Sequence, residues 1–255
     1  MEEPHDAVAH GKTPSGFVHW IQAFTNLIWP PACVLCEVQL AADEEEGFCR
    51  DCLRSLFADD SPVCPRCCST VGPYTDVSEG CSRCRGHRFH FSSAIRLGPY
   101  EGRLREAILR MKQYRGEPLA EWLGEAWGLR RRERLLSSDP QAIVPIPLHW
   151  RRRWRRGYNQ SAALARALSE ILDRPFRPGW LIRTRPTPSQ REQTPRQRWE
   201  NVRGAFQVPG MPQVRGARIL LIDDVMTTGA TADAAASALR VAGAAQVVLA
   251  VLAHR

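Results

Sequence analysis

The chain has 255 residues, of which 44% are hydrophobic, and it contains 35 lysine and arginine residues against 27 aspartate and glutamate. This length and apolar content suffice for one ordinary domain and a smaller one, which excludes wholesale disorder and a collagen-like architecture. The sequence has no apolar run of about 18 residues and its first residues are acidic, which argues against a membrane-spanning helix and a secretory signal. We therefore expect a soluble, cytoplasmic protein.

Charge and cysteine are distributed unevenly along the chain. Residues 1–98 have a net charge of −5 and contain all nine cysteines, whereas residues 99–255 have a net charge of +13. Such segregation predicts two modules with different roles. Arginine supplies 33 of the 35 basic residues. This bias fits either the base composition of the genome or selection for planar groups that bind phosphate.

Residues 1–30 are predicted to form a polar tail followed by an amphipathic helix. Its apolar face comprises Phe17, Trp20, Ile21, Phe24, Leu27 and Ile28, and Pro30 and Pro31 end it. At about three turns, this helix is too short to cross a bilayer. We expect it to dock on the rest of the protein. The alternative is an interfacial helix, with the protein peripheral at the inner face of the membrane, although its polar face carries no lysine or arginine.

Residues 31–90 contain four Cys-x-x-Cys pairs and little apolar periodicity, so they cannot build a core of their own. The pairs are Cys33 with Cys36, Cys49 with Cys52, Cys64 with Cys67 and Cys81 with Cys84. A tight turn with a two-residue gap can supply two of the four tetrahedral ligands that zinc requires. Reducing conditions in the cytoplasm disfavour the alternative of disulfides. We predict a double zinc ribbon with two structural zinc ions, each closed by four thiolates.

The sequence does not determine which two Cys-x-x-Cys pairs bind the same zinc ion. Sequential pairing would join the first Cys-x-x-Cys pair to the second and the third to the fourth, whereas a cross-braced arrangement would join first to third and second to fourth. The ninth cysteine, Cys68, could also replace Cys67 as a ligand.

Residues 91–255 alternate between predicted strands and helices. In chain order we predict a strand over 93–97, helices over 104–111 and 118–136, a strand over 142–147, a helix over 161–172, a strand over 218–222, a helix over 232–241 and a strand over 246–252. The stretch 174–216 reads as too polar for a core and long enough to include a mobile loop. This alternation predicts an α/β fold in which helices flank a parallel sheet.

The strongest chemical signal follows the apolar strand at 218–222. Two acidic residues, Asp223 and Asp224, come directly after it, and the small residues Thr227, Thr228, Gly229, Ala230 and Thr231 precede the next helix. Ligands of open α/β sheets bind at the carboxyl ends of strands, and helix amino termini favour phosphate. Two carboxylates beside a phosphate would repel it unless they bind sugar hydroxyls or face a metal ion. The spacing therefore predicts a phosphorylated ribose as ligand. A strand end merely capped by aspartate would not account for the threonines.

The segment from Ile219 to Thr231 is similar to the signature with which type I phosphoribosyltransferases bind 5-phosphoribosyl 1-diphosphate (PRPP). Because the cysteine pairs precede it, the chain resembles the ComF family of competence-associated proteins from Cys33 to its last residue. Further segments that carry the resemblance are 111–116, 144–147 with 156–160, and Gln190 with 198–206. One departure is Gln113, which stands directly after Lys112 where the family usually has an aromatic residue.

The resemblance implies a type I phosphoribosyltransferase-like sheet and assigns roles to several residues. Asp223 and Asp224 would be the catalytic pair that holds the ribose hydroxyls, while Val225, Thr227, Thr228, Gly229, Ala230 and Thr231 would complete the phosphoribose site. Magnesium would accompany PRPP. A hood at about 183–203 would close over the ligand. Candidates for binding pyrophosphate or nucleic acid are Lys112, Arg151, Arg152, Arg153, Arg155 and Arg156.

The run from His149 to Tyr158 interleaves five arginines with aromatic residues, a combination that suits single-stranded DNA. It could equally be a pyrophosphate loop with a charged rim, or a helix packed through Trp150 and Trp154. The family's association with natural transformation implies DNA uptake and a partner in the competence machinery. Two hypotheses result: a phosphoribosyltransferase with an unknown acceptor, and a non-catalytic competence factor that binds PRPP or single-stranded DNA.

Overall fold

The computed structural model describes residues 30–41, 47–149, 154, 157–185, 194–210 and 212–255. The chain forms two compact units, Met1–Arg50 and Asp51–Arg255. The predicted amphipathic helix and Gln190 lie outside the described residues, as do Arg151, Arg152, Arg153, Arg155 and Arg156. In the described part of the chain, no helix is long and apolar enough to cross a membrane.

The first unit contains a short hairpin around its first cysteine pair. An antiparallel bridge joins Ala32 to Gln39, and the amide of Glu37 donates to the carbonyl of Cys33 at 2.8 Å. Glu37, the residue after the second cysteine, has a left-handed backbone with φ of 64°. This geometry folds the pair back so that both thiols lie on the same side of the turn.

The second unit repeats this hairpin around its own first cysteine pair. A bridge joins Val63 to Thr70, and the amide of Cys68 donates to the carbonyl of Cys64 at 2.8 Å. Cys68 has a φ of 53° and therefore occupies the position that Glu37 has in the first hairpin. The ninth cysteine is thus a residue of the turn itself.

A parallel sheet forms the centre of the second unit, as the sequence predicts. Its strands are β1 (Ser93–Pro99), β2 (Ala142–Pro145), β5 (Arg218–Met226) and β6 (Gln246–His254), in the spatial order β1-β6-β5-β2. A separate antiparallel ribbon pairs β3 (Ile182–Arg183) with β4 (Phe206–Gln207). Residues 247–254 of β6 and residues 219–222 of β5 are buried because helices cover both faces of a sheet of this kind, whereas residues 223–225 of β5 are partly exposed.

Helices flank the sheet, and the four predicted over 104–111, 118–136, 161–172 and 232–241 begin within two residues of their predicted starts, whereas the helices over 50–56 and 195–202 were not predicted. They are α1 (Arg50–Leu56), α2 (Gly102–Met111), α3 (Glu117–Arg130), α4 (Arg132–Leu136), α5 (Gln160–Leu172), α6 (Pro195–Val202) and α7 (Ala230–Val241). Gly124 lets α3 approach α5 closely, since a Cβ atom there would lie 2.8 Å from the Cβ atom of Ala167. The prediction of one continuous helix over 118–136 is wrong. Arg131 leaves the helical conformation, and its guanidinium donates to the carboxylate of Asp60 at 3.0 Å.

The strand β5 continues beyond its predicted end. Its pairing with β6 extends through Asp223 to Val225 and Met226, which lie opposite Ala253 and His254. The reason is that β6 also continues past Leu252. The acidic residues are therefore held by strand pairing, whereas the sequence placed them just after the strand.

The stretch 174–216 also differs from its prediction, because several of its apolar side chains are buried. These are Trp180, Leu181, Val202, Ala205, Phe206 and Val214. They lie in or near short elements such as β3, β4 and α6, and polar residues separate them along the chain. Isolated apolar residues leave no periodic pattern in the sequence, so the contribution of this stretch to the core was missed.

Candidate functional site

The carboxylate of Asp223, on β5, is partly buried and accepts two hydrogen bonds. Its Oδ1 atom accepts hydrogen bonds from the hydroxyl of Ser161 at 3.0 Å and from the amide of Asp224 at 2.9 Å. Burial, and secondly the adjacent negative charge of Asp224, raise the pKa of Asp223 from 3.8 to about 7. Near neutral pH, this side chain can therefore exist as a carboxylic acid as well as a carboxylate. Ser161, the second residue of α5, was not among the predicted site residues.

The carboxylate of Asp224 is paired with Lys112. The Lys112 Nζ atom lies 2.9 Å from Asp224 Oδ2, and both side chains are largely shielded from solvent, with exposures of 22% and 17%. Lys112 directly follows α2, so the end of that helix delivers the ammonium group to the carboxyl end of β5. The structure thus brings Lys112 to the acidic pair. A ribose that binds both carboxylates would have to displace the ammonium group from Asp224.

The residues 227–231 form a compact turn into α7, which we call the 227–231 loop. Gly229 is the N-cap of α7 and has a φ of 79°. A Cβ atom at Gly229 would lie 2.8 Å from Met226 Cε and 3.0 Å from Phe89 Cε1, so the loop is closely packed. The hydroxyl of Thr228 accepts a hydrogen bond from the amide of Ala230 at 3.4 Å. Loop and helix amino terminus together can accommodate an anion.

The other predicted residues of this site, Val225 and Ala230, lie along the same strand, loop and helix. Val225 lies in β5 between the acidic pair and the loop, and Ala230 is the buried first residue of α7. Asp223, Asp224 and the 227–231 loop are therefore consecutive parts of one strand-loop-helix unit. The sequence had already placed them side by side, whereas the approach of Lys112 and Ser161 depends on how α2 and α5 pack.

A residue that the sequence did not single out contacts the 227–231 loop. Arg198, on α6, donates a hydrogen bond from Nη1 to the hydroxyl of Thr227 at 3.0 Å. A capping box starts α6, because Thr194 accepts from the amide of Gln197 while Gln197 accepts from the amide of Thr194. Arg198 belongs to the predicted hood. It also lies in the segment 198–206, which carries part of the family resemblance, and this was the feature of the sequence that could have indicated it as a site residue.

Four aromatic rings form a cluster beside the same loop, and we call them the aromatic cluster. They are His87, Phe89, Phe91 and Trp199. The rings of His87 and Trp199 are 5.6 Å apart and nearly parallel, at 5°. The cluster therefore joins the residues that follow the last cysteine pair to α6.

His90 anchors the same segment to the start of α7. Its backbone amide donates to Asp233 Oδ1 at 2.6 Å, and its ring Nδ1 atom lies 3.1 Å from the same carboxylate. Asp233 is in the first turn of α7, where a negative charge interacts favourably with the helix dipole. The segment 87–91 is consequently attached to the helix that the 227–231 loop begins.

The eight predicted zinc ligands gather into two clusters of four thiols. One contains Cys33, Cys36, Cys49 and Cys52, and the other contains Cys64, Cys67, Cys81 and Cys84, with all ligand atoms of a cluster within 4.8 Å of one another. Individual sulfur pairs are separated by 3.5 to 3.9 Å. Thiolates at the corners of a zinc tetrahedron are expected about 3.8 Å apart, so both clusters fit structural zinc. The pairing is sequential, and Cys68 is not a ligand.

Hydrogen bonds around the second thiol cluster extend to the last strand of the sheet. The Cys67 sulfur lies 3.2 Å from the hydroxyl of Ser69, which is 3.1 Å from His254 Nε2. Burial, together with the charges of Arg83 and Arg96, lowers the pKa of His254 from 6.5 to about 4. The neutral ring can donate to Ser69, which in turn can donate to a thiolate. Such supporting bonds orient metal ligands.

Of the predicted arginine-aromatic run, His149, Trp154, Gly157 and Tyr158 are among the described residues. Trp154 is 87% exposed, whereas His149 and Tyr158 are buried. The exposed ring of Tyr114 lies near this run, because a Cβ atom at Gly157 would be 3.8 Å from it. The described part of the run thus presents one aromatic side chain to solvent and packs two others inward.

Known proteins are similar to this chain both in the part with the cysteine clusters and in the part with the parallel sheet. The family model for the phosphoribosyl transferase domain matches residues 158–255, and the model for the double zinc ribbon domain matches residues 24–85. The chain is 33% identical to the DNA utilization protein YhgH of Escherichia coli K12, covering 86% of this chain and 94% of that protein. It is 30% identical to competence protein F of Haemophilus influenzae, covering 83% and 91%.

A solved structure of glutamine phosphoribosylpyrophosphate amidotransferase from Bacillus subtilis is also similar. The similarity has a TM-score of 0.34 at 20% identity and covers 53% of this chain and 26% of that one.

Proposed function

Because the chain belongs to the ComF family of competence-associated, phosphoribosyltransferase-like proteins with a double zinc ribbon, we propose that it binds PRPP together with Mg²⁺. The binding site consists of the acidic pair Asp223 and Asp224, the 227–231 loop and Lys112. In this proposal, the acidic pair holds the ribose hydroxyls and the loop holds the 5-phosphate.

One observation above all supports this proposal: a paired acidic site directly precedes an anion-accepting loop. The negative charge of the acidic pair is reduced by the raised pKa of Asp223 and by the ammonium group of Lys112, 2.9 Å from Asp224. A phosphorylated ligand can therefore approach with less repulsion than two free carboxylates would cause. When the ribose hydroxyls take the place of Lys112, its ammonium group becomes available to the pyrophosphate.

Magnesium enters this proposal with the ligand. Mg²⁺ prefers oxygen ligands and usually combines one or two carboxylates with substrate phosphates. Asp223 and Asp224 supply oxygen atoms of the required kind, so the residues fit this ion. Bound Mg²⁺ would offset the charge of the pyrophosphate.

The reaction that suits this ligand is phosphoribosyl transfer. The bond between ribose C1 and the pyrophosphate oxygen would break, and a bond from C1 to an acceptor would form. Positive charge develops on the ribose ring in between, and nearby carboxylates would stabilise it. We expect pyrophosphate release to depend on the acceptor that is added, and a coupled pyrophosphate assay would identify it.

Isothermal titration calorimetry with Mg²⁺ and PRPP tests the binding site. Asp223→Asn combined with Asp224→Asn should abolish binding, whereas circular dichroism and zinc content should not change. Asp173→Asn is the matched control, because Asp173 is exposed and has the left-handed backbone that asparagine tolerates. Unchanged affinity in the double variant would contradict the proposed site.

The second candidate function is binding of single-stranded DNA. The observations that favour it are two exposed aromatic side chains, Tyr114 at 76% and Trp154 at 87%, and the guanidinium of Arg115 at 6.0 Å from the Tyr114 ring centroid. Stacked bases and neutralised phosphates would suit these side chains. The names of the relatives, which refer to competence and DNA utilization, support this candidate. In this role, the protein would act in the cytoplasm with a partner in the uptake machinery.

Fluorescence anisotropy with a labelled oligonucleotide tests this second candidate. Tyr114→Ala and Trp154→Ala should each weaken binding, by about 1–3 kcal/mol if the ring stacks on a base. Tyr74→Ala is the matched control, since Tyr74 is 99% exposed and belongs to the acidic part of the chain. Equal losses in all three variants, or affinity that does not change with salt, would contradict the candidate.

A further inference from the structure

Two neighbouring residues of α6 contact different parts of the second unit. Arg198 donates to the hydroxyl of Thr227 in the 227–231 loop. Trp199 stacks on His87, which follows the last cysteine of the second thiol cluster by three residues. One short helix therefore joins the loop to the segment that leaves the ribbon.

The aromatic cluster contacts the loop as well as α6. The ring of Phe89 is 6.2 Å from that of Trp199, at 20° between the planes. The same ring lies against Gly229, where a Cβ atom would come within 3.0 Å of it. Phe89 thus holds α6 and the 227–231 loop at a defined separation, and a shift of Trp199 would carry Arg198 with it.

A side chain of the ribbon holds the segment that carries the aromatic cluster, through hydrogen bonds to backbone carbonyls. Arg66, within the first Cys-x-x-Cys pair of the second cluster, donates to the carbonyls of Glu79 at 2.8 Å and His87 at 2.5 Å. His90 is bound in turn to Asp233 on α7. The segment 87–91 is therefore attached at one end to the ribbon and at the other end to the helix after the loop.

The two arginines of α6 differ in a way that indicates their roles. Arg196 is 90% exposed and pairs with Glu200 one helical turn away. Arg198 is partly buried and contacts the 227–231 loop. A guanidinium has a fork of five N–H donors, so the same group can bond a threonine hydroxyl and a phosphate oxygen together.

We propose that Arg198 is a cationic ligand of the phosphate bound by the 227–231 loop, and that His87, Phe89 and Trp199 are positioning residues for it. This inference rests on the proposed function and adds a positive side chain to a loop that otherwise offers backbone amides and hydroxyls. It also gives the second zinc ribbon a role in ligand binding.

Calorimetry on the full, zinc-loaded chain with two probes tests the role of Arg198. The probes are ribose 5-phosphate, which requires the loop, and Mg²⁺-pyrophosphate, which does not. Arg198→Gln should lower the affinity for ribose 5-phosphate by about tenfold to a hundredfold, which is the range for a charged hydrogen bond. The affinity for Mg²⁺-pyrophosphate should not change. Arg198→Lys should recover part of the loss, and the control Arg196→Gln should behave as the wild type.

The positioning role is tested by Trp199→Leu and its conservative counterpart Trp199→Phe. Trp199→Leu should reproduce the selective loss of ribose 5-phosphate affinity with two zinc ions retained per chain, and Trp199→Phe should restore most of it. The inference is overturned if Arg198→Gln binds ribose 5-phosphate as tightly as Arg196→Gln, or if both probes weaken equally. A wild type that binds neither PRPP nor ribose 5-phosphate would instead refute the proposed function, and this inference with it.

Discussion

Replacing Asp223 by asparagine should stabilise the ligand-free protein, and increasingly so as the pH rises. Burial and the charge of Asp224 raise the pKa of Asp223 from 3.8 to about 7 in the folded state. Between these values, the folded state keeps a proton that the unfolded state has lost. The free energy of unfolding therefore falls as the pH increases from about 4 to about 7. Asparagine carries no titrating proton, so the variant lacks this fall.

The expected magnitude follows from the same pKa values. A difference of about three units between the folded and unfolded pKa values corresponds to about 4 kcal/mol in the free energy of unfolding, which is an upper limit. About half of this difference develops below pH 5.5, and about 2 kcal/mol develops between pH 5.5 and pH 8, where the carboxyl group of the folded state titrates. Asparagine keeps an Oδ1 acceptor for the hydroxyl of Ser161 and the amide of Asp224, so little bonding is lost.

Equilibrium urea unfolding of the wild type and Asp223→Asn at several pH values measures this effect. The range should start at about pH 5.5, because acid protonates the zinc-binding thiolates. We expect the stability difference to grow by up to about 2 kcal/mol between pH 5.5 and pH 8. Asp173→Asn should show no pH-dependent difference. Parallel curves for Asp223→Asn and the wild type, or a variant that is less stable at every pH, would refute this reasoning.

Three further predictions concern the ribbon, the loop and the acidic pair. Cys67→Ser should reduce the zinc content, measured by mass spectrometry of the metal, from two ions per chain to about one. Cys68→Ser should retain both, and equal losses would contradict the ligand assignment. Gly229→Ala should lower the free energy of unfolding by about 1–3 kcal/mol, because alanine is strained at a positive φ and its methyl group meets Phe89; an unchanged urea midpoint would count against this packing. Lys112→Met should raise the pKa of Asp223 further, since the ammonium group lowers it, and carboxyl carbon NMR would follow the midpoint. A midpoint that stays near 7 would show that Lys112 does not act on the pair.

The local patterns of the sequence were sufficient to predict the main elements of the fold. Continuous apolar runs marked β5 and β6, and the alternation with helices indicated a parallel sheet. These features depend on residues that are close together in the chain. The polar stretch 174–216 was harder to interpret, because its buried residues, such as Trp180 and Phe206, are spaced too irregularly to form a pattern.

Two parts of the candidate site could be recognised from adjacent residues. The acidic pair and the 227–231 loop are contiguous, and the four Cys-x-x-Cys spacings indicated zinc. The choice between sequential and cross-braced pairing was open, because either satisfies the same spacing. The structure decides it by bringing Cys64 within 3.7 Å of Cys84 and Cys67 within 3.5 Å of Cys81.

The sequence by itself determined which chemical groups are available: two carboxylates before a threonine-glycine loop, and four thiol pairs. Only the tertiary structure decided what surrounds them. Lys112 reaches Asp224 from the end of α2, Ser161 reaches Asp223 from α5, and Arg198 reaches Thr227 from α6. These partners come from distant parts of the chain. Their approach depends on the strand order and on how the helices pack, which no local pattern records.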